Sequence, residues 1–447
     1  MTNLPAGWIQ CKVGEVFYSF SGGTPSKSNP DYWNGSIPWI SSGEFNSDVI
    51  NHGTENITQI GMRNSSAKLC PAGSVVVVVR SGILKHTLPV ALVGKEFAIN
   101  QDIKCFDSGN HDLNRWLSLS LKNSAKTILS LNREGTTVQS VKYETLKQHE
   151  LSIPPLHEQR RILAKLETLL SRVNVAQERL AMIPRILKRF RQSVINSASA
   201  GALTADWRAD RGIKLEQSNG KLGAIARFID YRGKTPKKTN AGIPLITAKN
   251  IRPGYLSVEP REYIAEKDYA TWMTRGIPAL GDVLITTEAP LGYVVSIDWP
   301  YKFALAQRVI CLHFDKEIIF GEYASLLLQS TELQSKLKSN ATGTTVTGIK
   351  ASRLKELSIN FPNREEQKEI VRRVRELFKT ADMLEARYLK AKEHVDKLTQ
   401  SVLAKAFRGE LVPQNPHDEP ASALLERICE QQNGTAAKKK LHDNKRV

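Results

Sequence analysis

Two stretches of the chain place apolar residues in alternating steps of three and four. The first runs Leu166, Leu169, Val173, Ala176, Leu180, Ile183, Leu187, Phe190, Val194. The second runs Val374, Leu377, Ala381, Leu384, Tyr388, Ala391, Val395, Leu398, Val402. Lys, Arg, Glu and Gln fill most positions between. A seam sustained in this way predicts two long helices, each burying one narrow face in a coiled coil. Pro154-Pro155 and Pro362 precede the helices, where a missing N–H does no harm. Gly201 and Gly409 fall just past their ends, where glycine closes a helix, and Pro184 predicts a kink midway along the first. Because the seam occurs twice in one chain, the economical arrangement pairs the two helices. The alternative packs each against its own domain or another protein.

The rest of the chain reads differently. Ser74–Val79, Val90–Val93, Asp282–Thr286 and Val309–His313 are short β-branched runs bounded by Gly, Pro, Asn and Ser, and these predict strands. Short helices are expected near Leu113–Ser130 and Phe320–Ser339. The pattern also repeats. Gly135-Thr136-Thr137-Val138 returns as Gly343-Thr344-Thr345-Val346, an offset of 208 (343 less 135). At the same offset Glu158-Gln159 meets Glu366-Gln367, and Gln192-Ser193-Val194 meets Gln400-Ser401-Val402. Upstream, with small slips, Thr24-Pro25 corresponds to Thr235-Pro236 and Gln101 to Gln307. The chain is therefore read as an α+β protein with a pseudo-twofold internal repeat: two mixed α/β domains joined by two long helices in an antiparallel coiled coil. The expected divisions are 1–155, a first domain; 156–200, a helix; 201–222, a linker; 223–362, a second domain; 363–409, a second helix; and 410–447, a basic, partly disordered tail.

Composition narrows the function. The 447 residues include 63 Lys and Arg against 45 Asp and Glu, a formal charge of +18. Such a surplus on a chain with no run long enough to cross a membrane points to a polyanionic partner, above all nucleic acid; an ordinary basic protein is the plainer reading. Five scattered cysteines make no disulfide framework or zinc pattern, and Met1–Lys12 does not read as a secretory signal, so a cytoplasmic location is expected. Gly22–Ser28 and Gly233-Lys234-Thr235 fall short of a phosphate loop, because each lacks one of the glycines that let backbone amides wrap a phosphate. No G-x-S-x-G or H-E-x-x-H is present, and Asp31, Glu44 and Glu288 are isolated carboxylates. No catalytic residue and no metal site is assigned.

The candidates for DNA contact are cations and hydroxyls suited to phosphates and base edges. They are Lys27, Arg63, Arg80, Lys85, Arg133, Thr136 and Lys142 in the first domain. In the second they are Lys234, Lys237, Lys238, Lys249, Arg252, Arg308, Thr344 and Lys350. For Thr136 and Thr344 a structural turn is the preferred reading over contact with DNA or a partner subunit. A helix of about 65 Å, from about 1.5 Å per residue, is close to two turns of B-DNA at about 34 Å each, so domains at its ends suit separate half-sites.

The run L-S-I-P-P-L-H-E-Q-R-R-I-L-A-K-L-E at Leu151–Glu167, with R-F-R-Q-S-V at Arg189–Val194 and G-A-L-T-A-D-W-R at Gly201–Arg208, resembles the specificity subunit of type I restriction–modification enzymes. The resemblance implies two target recognition domains and an antiparallel helical spacer in a nearly circular arrangement. It implies no catalysis in this chain. The subunit would read an asymmetric bipartite DNA sequence and carry two methyltransferase subunits for adenine methylation, with restriction subunits adding ATP-dependent cleavage. S-adenosylmethionine, ATP and Mg would belong to those partners. The alternatives are a specificity subunit of a solitary methylation or other anti-phage complex, or a non-specific basic coiled-coil scaffold.

Overall fold

A computed structural model describes residues 4–131, 139–231, 235–306, 308–343 and 347–430. The chain forms two compact units, Met1–Glu178 with Lys392–Val447, and Arg179–Ala391. Two helices of 44 residues, Leu156–Ser199 and Arg364–Phe407, each begin in one unit and end in the other.

In the first unit a five-stranded sheet runs in the order Tyr18–Ser21, Ile103–Asp107, Val75–Val78, Val90–Val93, Val49–Ile50. It is antiparallel except for the last pair. Val75–Val78 carries no alternation of exposure because both faces are covered. Successive strand residues point to opposite faces. Thus Val75 and Val77 join Trp116, Leu117 and Leu121 of helix His111–Asn123, while Val76 and Val78 join Ile40, Phe97 and Ile99. Ile40, Phe97 and Ile99 belong to a second sheet, ordered Glu55–Ile57, Trp33–Ile40, Phe97–Ile99, Lys68–Cys70. The second unit uses the same logic. Val283 and Ile285 of strand Val283–Thr286 pack with Tyr323 and Leu327 from helix Gly321–Leu328, and Leu284 packs with Leu245 and Ala304 on the other face.

Each unit ties a long-helix start to its domain by a two-stranded ribbon. Ile9–Lys12 pairs with Glu150–Ile153, and Ser218–Lys221 pairs with Ser358–Phe361, both antiparallel. Behind each ribbon a Glu-Gln pair is buried. Glu366, 1% exposed, forms an ion pair with Arg208 and accepts a hydrogen bond from Thr204 Oγ1 at 2.7 Å. The Gln367 amide donates to Pro362 O at 2.8 Å and Ile318 O at 3.1 Å and accepts from Phe320 N at 3.0 Å. The start of the expected linker is therefore folded: residues 201–208 form a clamp in which Thr204 and Arg208 are buried, and Asp206 pairs with Arg373 at 2.6 Å. In the first unit Glu158 instead accepts from Trp8 Nε1 at 3.1 Å. Burial, the largest influence, pushes its carboxyl above the usual range.

Within the expected tail, the described residues up to 430 are folded. Residues 421–430 are helical, and Ala421, Leu424 and Ile428 enter the first unit's core. Asp418 pairs with Arg161 at 2.6 Å, and Ala421 N donates to Gly7 O at 2.9 Å. Ala421, Leu424, Leu425 and Ile428 supply the apolar face that an exposed tail would lack.

The long helices depart from the expected seam. Leu166, Val173, Leu187, Val194 and Val374 are buried, and Leu169, Leu180, Leu377, Tyr388, Val395 and Val402 are half-buried. Phe190, Leu384 and Leu398 are 37%, 48% and 44% exposed. Near the helix ends, burial spreads to Ile162, Leu163, Ile195, Ala198, Ile370 and Val371, which meet the domain cores. A helix with 3.6 residues per turn drifts about 20° per heptad from a 3.5-residue seam, so one apolar line cannot face both a partner helix and a domain. The first helix continues without a break through Pro184. Both closing glycines, Gly201 and Gly409, have φ of 72°.

Candidate nucleic-acid interface

In the first unit, the end of the central strand is where the repeated segments converge. Val79 N donates to Asp102 O at 2.8 Å, beside Gln101, and Val141 N donates to Val79 O at 2.8 Å. Arg80 then forms a bridge with Ser140. The turn carrying Thr24-Pro25 reaches the same corner, with Thr24 Oγ1 donating to Gln101 Oε1 at 2.8 Å. Gly22 is required there by close approach: a Cβ would lie 1.8 Å from Ile99 O. The Gly22–Ser28 segment is thus a packed turn rather than a phosphate loop.

The second unit builds the corresponding corner, with Thr287, Glu288, Gly348 and Ile349 at the same offset of 208 and Arg308 at 206 (308 less 102). Thr287 N donates to Arg308 O at 3.0 Å, Ile349 N to Thr287 O at 2.9 Å, and Glu288 forms a bridge with Gly348. Glu288, read from sequence as isolated, pairs with Arg308 at 3.1 Å. Arg308 has φ of 72°. A left-handed conformation costs a residue with a Cβ about 1–2 kcal/mol, whereas an exposed ion pair returns about 0–1 kcal/mol. The pair alone does not offset the backbone it sits on.

These bonds gather some candidates and leave others apart. Arg80, Lys85 and Lys142 lie around the first corner, and Arg308 and Lys350 around the second. Arg133, Thr136, Lys234 and Thr344 lie outside the described residues. Lys27 is held within its own unit, paired with Glu55 at 2.9 Å and 4.9 Å from the Trp33 ring. Arg63 is exposed at the end of helix Gln59–Arg63. Lys237 and Lys249 are exposed, Lys238 pairs with Glu262 at 2.8 Å, and Arg252 Nη1 donates to Ile251 O at 3.1 Å.

One cation escaped the sequence reading. Lys104 is half-buried, 4.5 Å from the Tyr143 ring, and its ammonium is held below the usual lysine range by burial and then by Lys68. Its signal was alternation: in Ile103–Asp107, Ile103 and Cys105 are fully buried and Lys104 points the other way.

Other groupings offer little chemistry. Cys311 Sγ and His313 Nδ1 both meet Asp282, at 3.5 and 2.7 Å. Burial, then Asp282, pushes the Cys311 thiol well up, away from the thiolate that nucleophilic chemistry needs. Among the described residues no group of three His, Cys, Asp or Glu could hold a metal, and no helix is long and apolar enough to cross a membrane.

The family model for the type I restriction modification DNA specificity domain matches twice, at residues 5–185 and 219–393. The chain belongs to this family. It is a DNA specificity subunit of a type I restriction-modification system. Similar relatives include the EcoBI specificity subunit of Escherichia coli, 31% identical over 334 residues and 70% of each chain. The EcoKI specificity subunit of Escherichia coli K12 is 31% identical over 68% of each. The MjaVIII specificity subunit of Methanocaldococcus jannaschii is 24% identical but covers 92% of this chain and 95% of its own. Among solved structures, the HsdS subunit of Thermoanaerobacter tengcongensis superposes with a TM-score of 0.58 at 20% identity, covering 91% of this chain and 98% of that one. A chain from a structural study of type I assembly and conformational transition gives 0.66 at 20% identity, covering 91% and 99%. Those two likenesses concern the fold.

Proposed function

We propose that the two units are two target recognition modules, each reading one half of an asymmetric bipartite DNA sequence. The observation that carries this reading is the double match to one family model, 5–185 and 219–393. The repeated backbone bonding at the two strand ends supports it: the frames agree at an offset of 208 (288 less 80) while the side chains at equivalent positions differ. Equal frames with different side chains suit two unlike half-sites.

The long helices serve as the spacer. Support for an antiparallel pairing comes from within the second unit, where Arg191 near the end of the first helix bonds Asp382 and Glu385 on the second at 2.6 and 2.8 Å. In the first unit, the Phe407 ring at the end of the second helix lies tilted with its centroid 4.6 Å from that of Trp116, in the same core as Leu163 and Leu166 of the first. Two similar helix surfaces suit two copies of one methyltransferase subunit, with restriction subunits joining in cleavage. The chain itself is non-catalytic and cytoplasmic. S-adenosylmethionine, ATP and Mg act in its partners.

Exchanging residues 1–155 for the equivalent domain of a relative tests this. Mapping of methylated adenines should show one half-site altered and the other unchanged; alteration of both halves would rule out independent readers.

A further inference from the structure

We propose that Arg80 in the first unit, and the Glu288–Arg308 pair in the second, are base-reading side chains that set one position of each half-site. This deepens, and rests on, the reading of the units as DNA recognition modules.

The two corners share their main-chain frame. Val79 and Thr287 each donate to a carbonyl across the sheet, of Asp102 and Arg308, and each accepts from Val141 or Ile349. Onto this shared frame the chain places opposite charges. Arg80 stands where the second unit has Glu288, and Asp102 stands where it has Arg308. A frame held constant while its charges are exchanged presents a different set of donors and acceptors to each half-site. Arg80 is exposed, and no ion pair or side-chain hydrogen bond to it is found among the described residues. Arg308 is exposed and kept at φ 72°, a backbone state uncommon for residues with a Cβ and concentrated at functional sites.

The chemistry follows from side-chain geometry. A free guanidinium at the end of a rigid buried strand can give two parallel hydrogen bonds to O6 and N7 of guanine. The second corner holds an acceptor beside a donor. Arg308 serves the guanine of a G·C pair, and the Glu288 carboxylate accepts from the cytosine N4 amino group.

The test uses the full chain with its methyltransferase subunit, and reads both methylated sites and binding to duplexes varied one base pair at a time. Arg80→Ala should reduce discrimination at a single base pair of one half-site by roughly 5- to 150-fold, leaving the other half unchanged. Arg80→Lys should lose part of it, since an ammonium keeps the charge but not the planar fork. Arg308→Ala and Glu288→Ala should relax one position of the other half. Even weakening on all sequences, with the salt slope lowered by about one and restored by lysine, would make Arg80 a phosphate contact and overturn the proposal. An unchanged base preference would overturn it too. Wild-type complex mapped in parallel separates the two levels: a bipartite wild-type site with indifferent variants sinks only this inference, whereas a wild-type site that is not bipartite sinks the recognition-module reading and this inference with it.

Discussion

Replacing Arg208 by Met should destabilise the second unit sharply. The Glu366 carboxylate is 1% exposed, and its ion-pair partner Arg208 is only 9% exposed at the side chain. Methionine preserves most of the aliphatic volume but leaves the carboxylate buried with Thr204 Oγ1 as its remaining side-chain donor. Breaking one partner of a buried pair costs about 3–5 kcal/mol, because the orphaned charge stays out of water. For a unit of this size each kcal/mol moves the midpoint by about 2–4 °C, so the shift is roughly 6–20 °C. Differential scanning calorimetry of the full chain, with urea titration followed by fluorescence, measures both quantities. The double variant Arg208→Met, Glu366→Met removes both charges and should recover most of the loss. A single-variant change below about 1 kcal/mol, the size expected of a surface pair, would refute the view that this clamp fixes the second helix to its domain.

Glu158 should behave in the opposite sense. Its carboxyl lies above its unfolded value, so the stability linked to it is present below the unfolded pKa of about 4.3 and lost as pH rises through the folded one. Glu158→Gln, which can still accept from Trp8, should raise the melting midpoint at pH 7 and give no gain at pH 3; equal effects at both pH values would contradict the assignment. Leu424→Asp places a charge in a site 4% exposed and should lower the first unit's stability by several kcal/mol, on the order of the cost of an unpaired buried charge; thermal melts showing no change would return the tail to solvent. Lys104→Gln should reduce the salt dependence of DNA binding by about one unit of slope if that half-buried ammonium meets a phosphate, and an unchanged slope would exclude it.

Much of this architecture is written in the order of residues along the chain. The strand Val75–Val78 announced itself as a β-branched run, and the short helices fell where the pattern put them, at His111–Asn123 and Gly321–Leu328. The helix ends were legible because proline and glycine punctuate backbone geometry directly. The seam misled at Phe190, Leu384 and Leu398 because heptad periodicity reports which residues are apolar, not which surface competes for them. Glu366 stood out in the sequence only as a repeat match and Arg208 only as the end of a family-like run; folding alone brings residues 158 positions apart into one buried pair. The interface was legible as chemistry but not as place. Sequence grouped Lys27 with Arg80, yet Glu55 engages the first, and no ion pair engages the second among the described residues. Glu288 was passed over because its meaning depends on Arg308 across the sheet.

The most direct test of the central claim is a methylation map of DNA modified by this chain together with its methyltransferase subunit, made with the native chain and with residues 1–155 exchanged. The account predicts one asymmetric target, two specific halves separated by unread bases, with methylated adenines in both halves, and an exchange that rewrites one half alone. A contiguous target, or an exchange that rewrites both halves at once, would contradict it.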